Sequence, residues 1–396
     1  MAEANNKVYY GEYSLRRWID LILSGGIVLP PYQRYFVWQE EQAIRLIKSI
    51  KNYNYLPAVT IGIGKNPGSG KKENMILDGQ QRLTSILLAC IGKFPKRKNP
   101  VNKKRYADEN DRPADEVNDD LLSEWTFKDI VALGSDPISI RDKINTDFPN
   151  SYSDFTIEGV KITKDFLSKH FIHFAYLVPD ASSSELVKSK YFANVFHSIN
   201  REGTKLTPIE SRAALYYQGG NYQQELEPDF SKEITANGSQ MDFVRYLAFL
   251  SNYNKVGRKD TAKGYSGVST REAFYEEFVL YYVLNEAEDN KFELNRAQYS
   301  ANLAKLEHAL EELGLKSRQC SSIIEMDYYF AGLIYYQLIK GVDYDLTKWE
   351  ETKDMLDKLV TTVSASHKNY PGMLQYVQKR IDESVALYAD MFGVTV

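Results

Sequence analysis

From about residue 219 to the end of this chain, every apolar pattern has the period of a helix, whereas the first 90 residues alternate helical and strand patterns. That switch sets the fold class: an α+β N-terminal domain over residues 1–218, followed by an all-helical domain over 219–396. A length of 396 residues accommodates two such domains.

In the first part, residues 14–24 (SLRRWIDLILS) read as a helix stopped by Gly25-Gly26. Ile27-Val28-Leu29 reads as a short strand, and Pro30-Pro31 then forces an extended path. Residues 39–50 place Ala43, Leu46, Ile47 and Ile50 on one helical face. Residues 57–63 and 73–77 read as strands, and 80–92 as a helix. Phe174–Val178 reads as another strand, 184–200 as a helix, and Thr207-Pro208-Ile209-Glu210 as the capped start of the next. In the second part, helices are expected at 270–286, 295–313, 321–340, 346–366 and 373–391.

A charged insertion near 93–120 interrupts the pattern, and ordered signals return near residue 163. Lys93 to Arg105 carries seven basic residues, and Asp108 to Asp120 carries seven acids. Such blocks are usually solvated. The basic run (Lys93, Lys96, Arg97, Lys98, Lys103, Lys104, Arg105) is where DNA phosphates could be held, but the adjacent acids and a net charge of −4 oppose that. Two cysteines, Cys90 and Cys320, cannot build a disulfide framework or a structural zinc site. The N-terminus lacks an apolar signal segment, and no run approaches the ~20 apolar residues of a membrane span. The chain therefore reads as cytoplasmic, with no membrane partner.

Three segments stand out: Pro31 to Trp38 (PYQRYFVW), Asp78 to Thr84 (DGQQRLT), and Phe196 to Leu206 (FHSINREGTKL). In the second, a strand ending at Leu77 runs through Asp78-Gly79 directly into a helix. Gly79 lets backbone come close to a ligand, and the first helical turn offers free N–H groups at the positive dipole end. Gln80, Gln81 and Arg82 add donors there, and Arg grips phosphate oxygens in bidentate fashion. Asp78 would repel an anion unless it holds Mg²⁺ or orients a water, which suits metal-assisted phosphoryl chemistry. The plain alternative is an N-capping Asp on an ordinary strand–turn–helix. Gln33-Arg34 supplies another guanidinium, or only a surface salt bridge. Asn200, before Gly203, is either a site residue or part of a helix-terminating turn.

On these segments the chain resembles the GmrSD-type restriction endonuclease N-terminal domain, a family of prokaryotic defence proteins marked by DGQQR. The matching residues are PPYQRYFVW (30–38), ILDGQQRLTSI (76–86) and FHSINREGTKLTP (196–208), and the likeness covers about residues 10–218. It implies a ParB/sulfiredoxin-like α+β fold that binds and hydrolyses a nucleoside triphosphate with Mg²⁺. Carried over, Asp78, Gln81 and Arg82 are catalytic, with Asp78 the metal ligand. Gln33, Arg34, Gly79, Gln80, Arg82 and Asn200 bind the nucleotide.

Many family members carry a His-Me finger nuclease as well. Here the C-terminal half holds only His308 and His367, and Glu351-x-Lys353 sits in a helical pattern. A nuclease would then be a separate partner chain. The expectation is an NTPase subunit of an antiphage system; the alternative is a non-catalytic, nucleotide-gated adaptor or DNA-recognition subunit, and a homo-oligomer is left open. Two weaker signals have plain readings. GKNPGSGKK (64–72) has the wrong glycine spacing for a phosphate loop and joins two strands. His170 and His173 lack a companion ligand set and read as packed or solvent-facing.

Overall fold

The computed structural model describes residues 6–31, 33, 35–66, 69–96, 106–107, 125–184, 187–188, 191–192, 195, 208–217, 221–263, 268–284, 291–367 and 372–394. The chain forms two compact units. One comprises residues 1–103 and 117–221, and the other comprises 104–116 and 222–396.

The first unit is built on a four-stranded sheet. Its strands are β1 (Lys7–Ser14), β2 (Val59–Lys65), β3 (Lys72–Asp78) and β6 (Phe171–Val178), in the order β1-β6-β2-β3. β1 runs antiparallel to β6, β6 parallel to β2, and β2 antiparallel to β3. The loop between β2 and β3 closes a hairpin, with the Asn66 amide on the Lys71 carbonyl at 2.8 Å. GKNPGSGKK is thus a hairpin connection and not a strand-to-helix phosphate loop. The strand expected at 27–29 reduces to one bridge, Val28 beside Met75. β1 was not anticipated; its exposed face alternates too weakly to signal a strand.

One face of this sheet carries the core. Helix α1 (Leu15–Leu23) begins where Ser14 caps the Arg17 amide, and it buries Leu15, Trp18, Ile19 and Ile22. Helix α2 (Glu40–Lys51) buries the four residues its spacing selects, Ala43, Leu46, Ile47 and Ile50. Helix α3 (Gln80–Ile91) lies between them and is buried on nearly every side. On the other face, Gly62 and Gly64 of β2 leave room for the Phe192 ring. A Cβ at either would come within 2.6 Å of it.

Regular structure is already present before residue 163. Strand β4 (Lys93–Pro95) pairs with β5 (Tyr152–Asp154). Helices α4 (Phe127–Val131) and α5 (Pro137–Asp147) precede β5, and α6 (Lys164–Lys169) follows it. Trp125, Phe127, Ile130, Ile140 and Ile144 join the main core. The two helices before β5 hold only five and eleven residues, too short for a clear period among charged neighbours. Of the basic run, Lys93 is paired with Asp154 at 2.7 Å and Lys96 is exposed, while 97–105 lie outside the described residues.

The second unit is mostly helical. Helix Ile323–Ile334 is its buried axis, packed by Phe243–Val256, Trp349–His367 and Leu374–Tyr388. Gly314 and Gly341 take the left-handed conformation that ends a helix. "All-helical" needs one correction. Strands β7 (Thr235–Ala236), β8 (Ser239–Gln240) and β9 (Gln319–Cys320) form a small sheet. Two-residue strands carry no alternation to read. No helix among the described residues is long and apolar enough to cross a membrane.

Candidate functional site at the start of α3

β3 ends at Asp78, and Gly79 turns the chain with φ 95° and ψ 4°. A side chain there would be strained by that φ, and its Cβ would meet Val59 at 2.8 Å. The N-cap is therefore Gly79 and not Asp78, and no side chain caps the first turn. That removes the plain reading of Asp78 as a cap.

Asp78 instead accepts from Arg82 one turn later, at 2.6 Å. The Arg82 guanidinium also donates to the carbonyls of Pro57 and Ala58. Burial lowers the Arg82 pKa from its ordinary value, and Asp78 opposes that shift. About a third of the Asp78 side chain stays exposed, whereas the Arg82 side chain is 10% exposed. Asp78 Oδ1 takes no hydrogen bond from the described residues.

Gln81 faces the first motif. Its Oε1 accepts the amides of Val37 at 2.8 Å and Trp38 at 3.2 Å. Its Nε2 donates to the Tyr35 carbonyl at 2.9 Å and to Gln80 Oε1 at 3.2 Å. Gln33 returns the link, donating to the carbonyls of Ile76 at 2.8 Å and Leu77 at 3.0 Å. Phe36, 1% exposed, packs between Phe94 and Trp125 and fixes the segment from behind. Two motifs some 45 residues apart thus form one body, as one shared site requires.

Gln80 and Thr84 differ from these neighbours. They lie four residues apart on one face of α3, 3% and 0% exposed. Gln80 Nε2 and Thr84 Oγ1 have no hydrogen-bond partner. Ser85, by contrast, bonds back to the Gln81 carbonyl at 2.8 Å. An unpaired buried donor costs about 1–3 kcal/mol, so two together mark a place built for something else. Thr84 closes the DGQQRLT segment without a role of its own in the sequence reading, although its helical spacing from Gln80 is the signal for one.

The sequence-derived site residues therefore divide. Gly79, Gln80, Asp78, Gln81, Arg82 and Gln33 come together. Arg34 and Asn200 lie outside the described residues. Gln81 and Arg82, expected to touch phosphate directly, spend their polar groups on protein atoms. His170 is packed between Tyr53 and Phe166, and His173 is exposed near Glu12. Among the described residues no cluster of three His, Cys, Asp or Glu could hold a metal.

The model of the GmrSD restriction endonuclease N-terminal domain matches residues 15–217, more than half of the chain. The chain belongs to that family. The GmrSD match spans the β3–α3 site and the Gln33 segment joined to it. An uncharacterized protein of Methanocaldococcus jannaschii is 23% identical over 268 residues. That alignment covers 54% of this chain, and the chain spans 44% of that relative's length. No solved structure matches.

Proposed function

We propose that this GmrSD-family chain is the nucleoside triphosphate-binding and hydrolysing subunit of a restriction-type defence system, acting in the cytoplasm. The observation that carries the reading is the uncapped first turn of α3 beside a buried, unpartnered donor, Gln80 Nε2. Backbone N–H groups, the helix dipole and that amide favour an anion there. Gly79 makes the turn possible, because its left-handed φ would strain any side chain and Val59 fills the space beside it. Arg82 and Gln81 hold the site's shape: one ties α3 to residues 57–58, the other ties it to residues 35–38. Arg34 and Asn200 join the nucleotide contacts in this reading, and the first unit carries the ParB/sulfiredoxin-like fold.

Mg²⁺ fits in a limited way. It is usually held by one or two carboxylates together with substrate phosphates. Asp78 supplies one part-exposed carboxylate with a free oxygen, so the phosphates would complete the shell. Bound there, the ion would offset phosphate charge. Asp78 would otherwise repel the anion, and its pairing with Arg82 already reduces that repulsion.

A second reading has its own support. Gln81 and Arg82 bond to protein atoms, which leaves the part-exposed Asp78 as the candidate to activate a water. A nucleotide-gated adaptor that binds without turnover, and recruits a separate nuclease chain or DNA, has the same site. Phosphate release from ATP, GTP, CTP and UTP with Mg²⁺, with and without DNA, separates the two. Mg²⁺-dependent release is expected; binding without release from any of the four favours the adaptor.

A further inference from the structure

The loop KNYNYLP (51–57) joins α2 to β2 and carries two large exposed aromatics, Tyr53 at 75% and Tyr55 at 89%. The loop is pinned. The amides of Asn52, Tyr53 and Asn54 donate to the carbonyls of Lys48, Ile50 and Ser49 at 3.1, 3.1 and 3.0 Å. Lys51 Nζ reaches the Gly159 carbonyl at 2.7 Å. Tyr53 adopts φ 54°, a region bulky residues rarely enter, and its ring stacks on His170 at 5.0 Å and 19°. Tyr53 is thus an anchor. Among the described residues no ring stacks on Tyr55.

Tyr55 also has a defined place. Two residues later Pro57 offers its carbonyl to Arg82, and the same guanidinium holds Asp78. A tyrosine ring left in water on a pinned backbone contributes little to folding, yet it offers a flat apolar face with few torsions to freeze.

We propose that Tyr55 is the base platform of the nucleotide site, stacking a purine ring while the phosphates lie at the first turn of α3. This rests on the phosphate reading above and adds a substrate class: purine nucleoside triphosphates, because the larger ring system covers more of the tyrosine face.

Equilibrium binding to the full chain in Mg²⁺ tests it, with ATP, GTP, CTP, UTP and inorganic tripolyphosphate as probes. Wild type should bind the purine nucleotides most tightly. Tyr55→Ala should weaken ATP and GTP about tenfold, leaving tripolyphosphate unchanged. Tyr55→Trp should retain the purine preference. If Tyr55→Ala binds ATP and GTP as wild type does, or loses tripolyphosphate to the same degree, the platform is wrong while the phosphate site stands. If wild type binds neither nucleotides nor tripolyphosphate, the phosphate reading falls and takes the platform with it.

Discussion

The carboxamide oxygen of Gln81 accepts the amide of Val37 at 2.8 Å, and its nitrogen donates to Tyr35 at 2.9 Å. A side chain in the first turn of α3 therefore replaces a strand partner for an irregular segment 44 residues earlier. Gln81→Leu keeps the volume but strands the amides of Val37 and Trp38 and the Tyr35 carbonyl. The expected cost is about 2–3 kcal/mol, read as a lower urea midpoint. An unchanged midpoint with lost nucleotide binding would make Gln81 a ligand contact and not a brace.

The sequence shows the site's members more clearly than their duties. Asp78-Gly79 after an apolar strand announces the turn, because only a short strand-to-helix connection fits there. The bonds of Gln81 and Gln33 cannot be read from the chain, since each side chain offers both a donor and an acceptor. Which backbone groups they meet depends on the tertiary fold. α2 was legible because its four buried residues repeat at helical spacing. The small β7–β8–β9 sheet was not, because tertiary pairing creates it and local pattern does not.

Asp78→Asn tests turnover separately from folding. The Asn side chain can still accept from Arg82, which also keeps the Pro57 and Ala58 carbonyls, so the fold should hold, with a midpoint loss of about 1–3 kcal/mol for a nearly buried guanidinium that loses its counter-charge. The negative charge that would hold Mg²⁺ is gone, and Mg²⁺-dependent phosphate release should fall at least a hundredfold. Release at the wild-type rate would remove Asp78 from the chemistry. Collapse of the thermal transition would instead mark it as structural.

The protein should be labile in alkali. Burial pushes the Cys90 thiol up to about 11 and the Cys320 thiol up to about 12. Burial also pushes Tyr336 up to about 12 and raises Tyr246, Tyr299 and Tyr388 above their ordinary value. The unfolded chain loses these protons from about pH 9 to 10, while the folded chain keeps them. The stabilisation is complete below that window and is lost as pH rises through it toward 12. The urea midpoint should drop between pH 8 and pH 10.5. At pH 8, iodoacetamide should label both thiols far more slowly in native than in denatured protein. A midpoint that rises with pH, or equal labelling rates, would contradict the burial.

The buried charges of the helical unit give the sharpest stability test. Asp327, fully buried, accepts from Arg245 at 2.6 and 3.1 Å, from Arg380 at 2.9 Å and from the Tyr246 hydroxyl at 2.9 Å. Burial would raise its pKa, but Arg245 and Arg380 together hold it below the ordinary value of 3.8. Its contribution is therefore present above that value and lost as pH falls through the lower, folded one. Asp327→Asn removes the anion that Arg245, Arg380 and Tyr246 share, and leaves two buried guanidinium groups without it. Breaking such a group costs about 3–5 kcal/mol, whereas replacing all the charges with apolar residues is often neutral. Asp327→Asn should therefore lower the urea midpoint sharply. The triple variant Arg245→Met, Asp327→Leu, Arg380→Met should recover much of the loss, although Tyr246 then loses its acceptor. Equal midpoints for wild type and Asp327→Asn would show that the cluster is not buried as charges. A triple variant as weak as the single one would show that the ions themselves, and not their mutual compensation, hold these helices together.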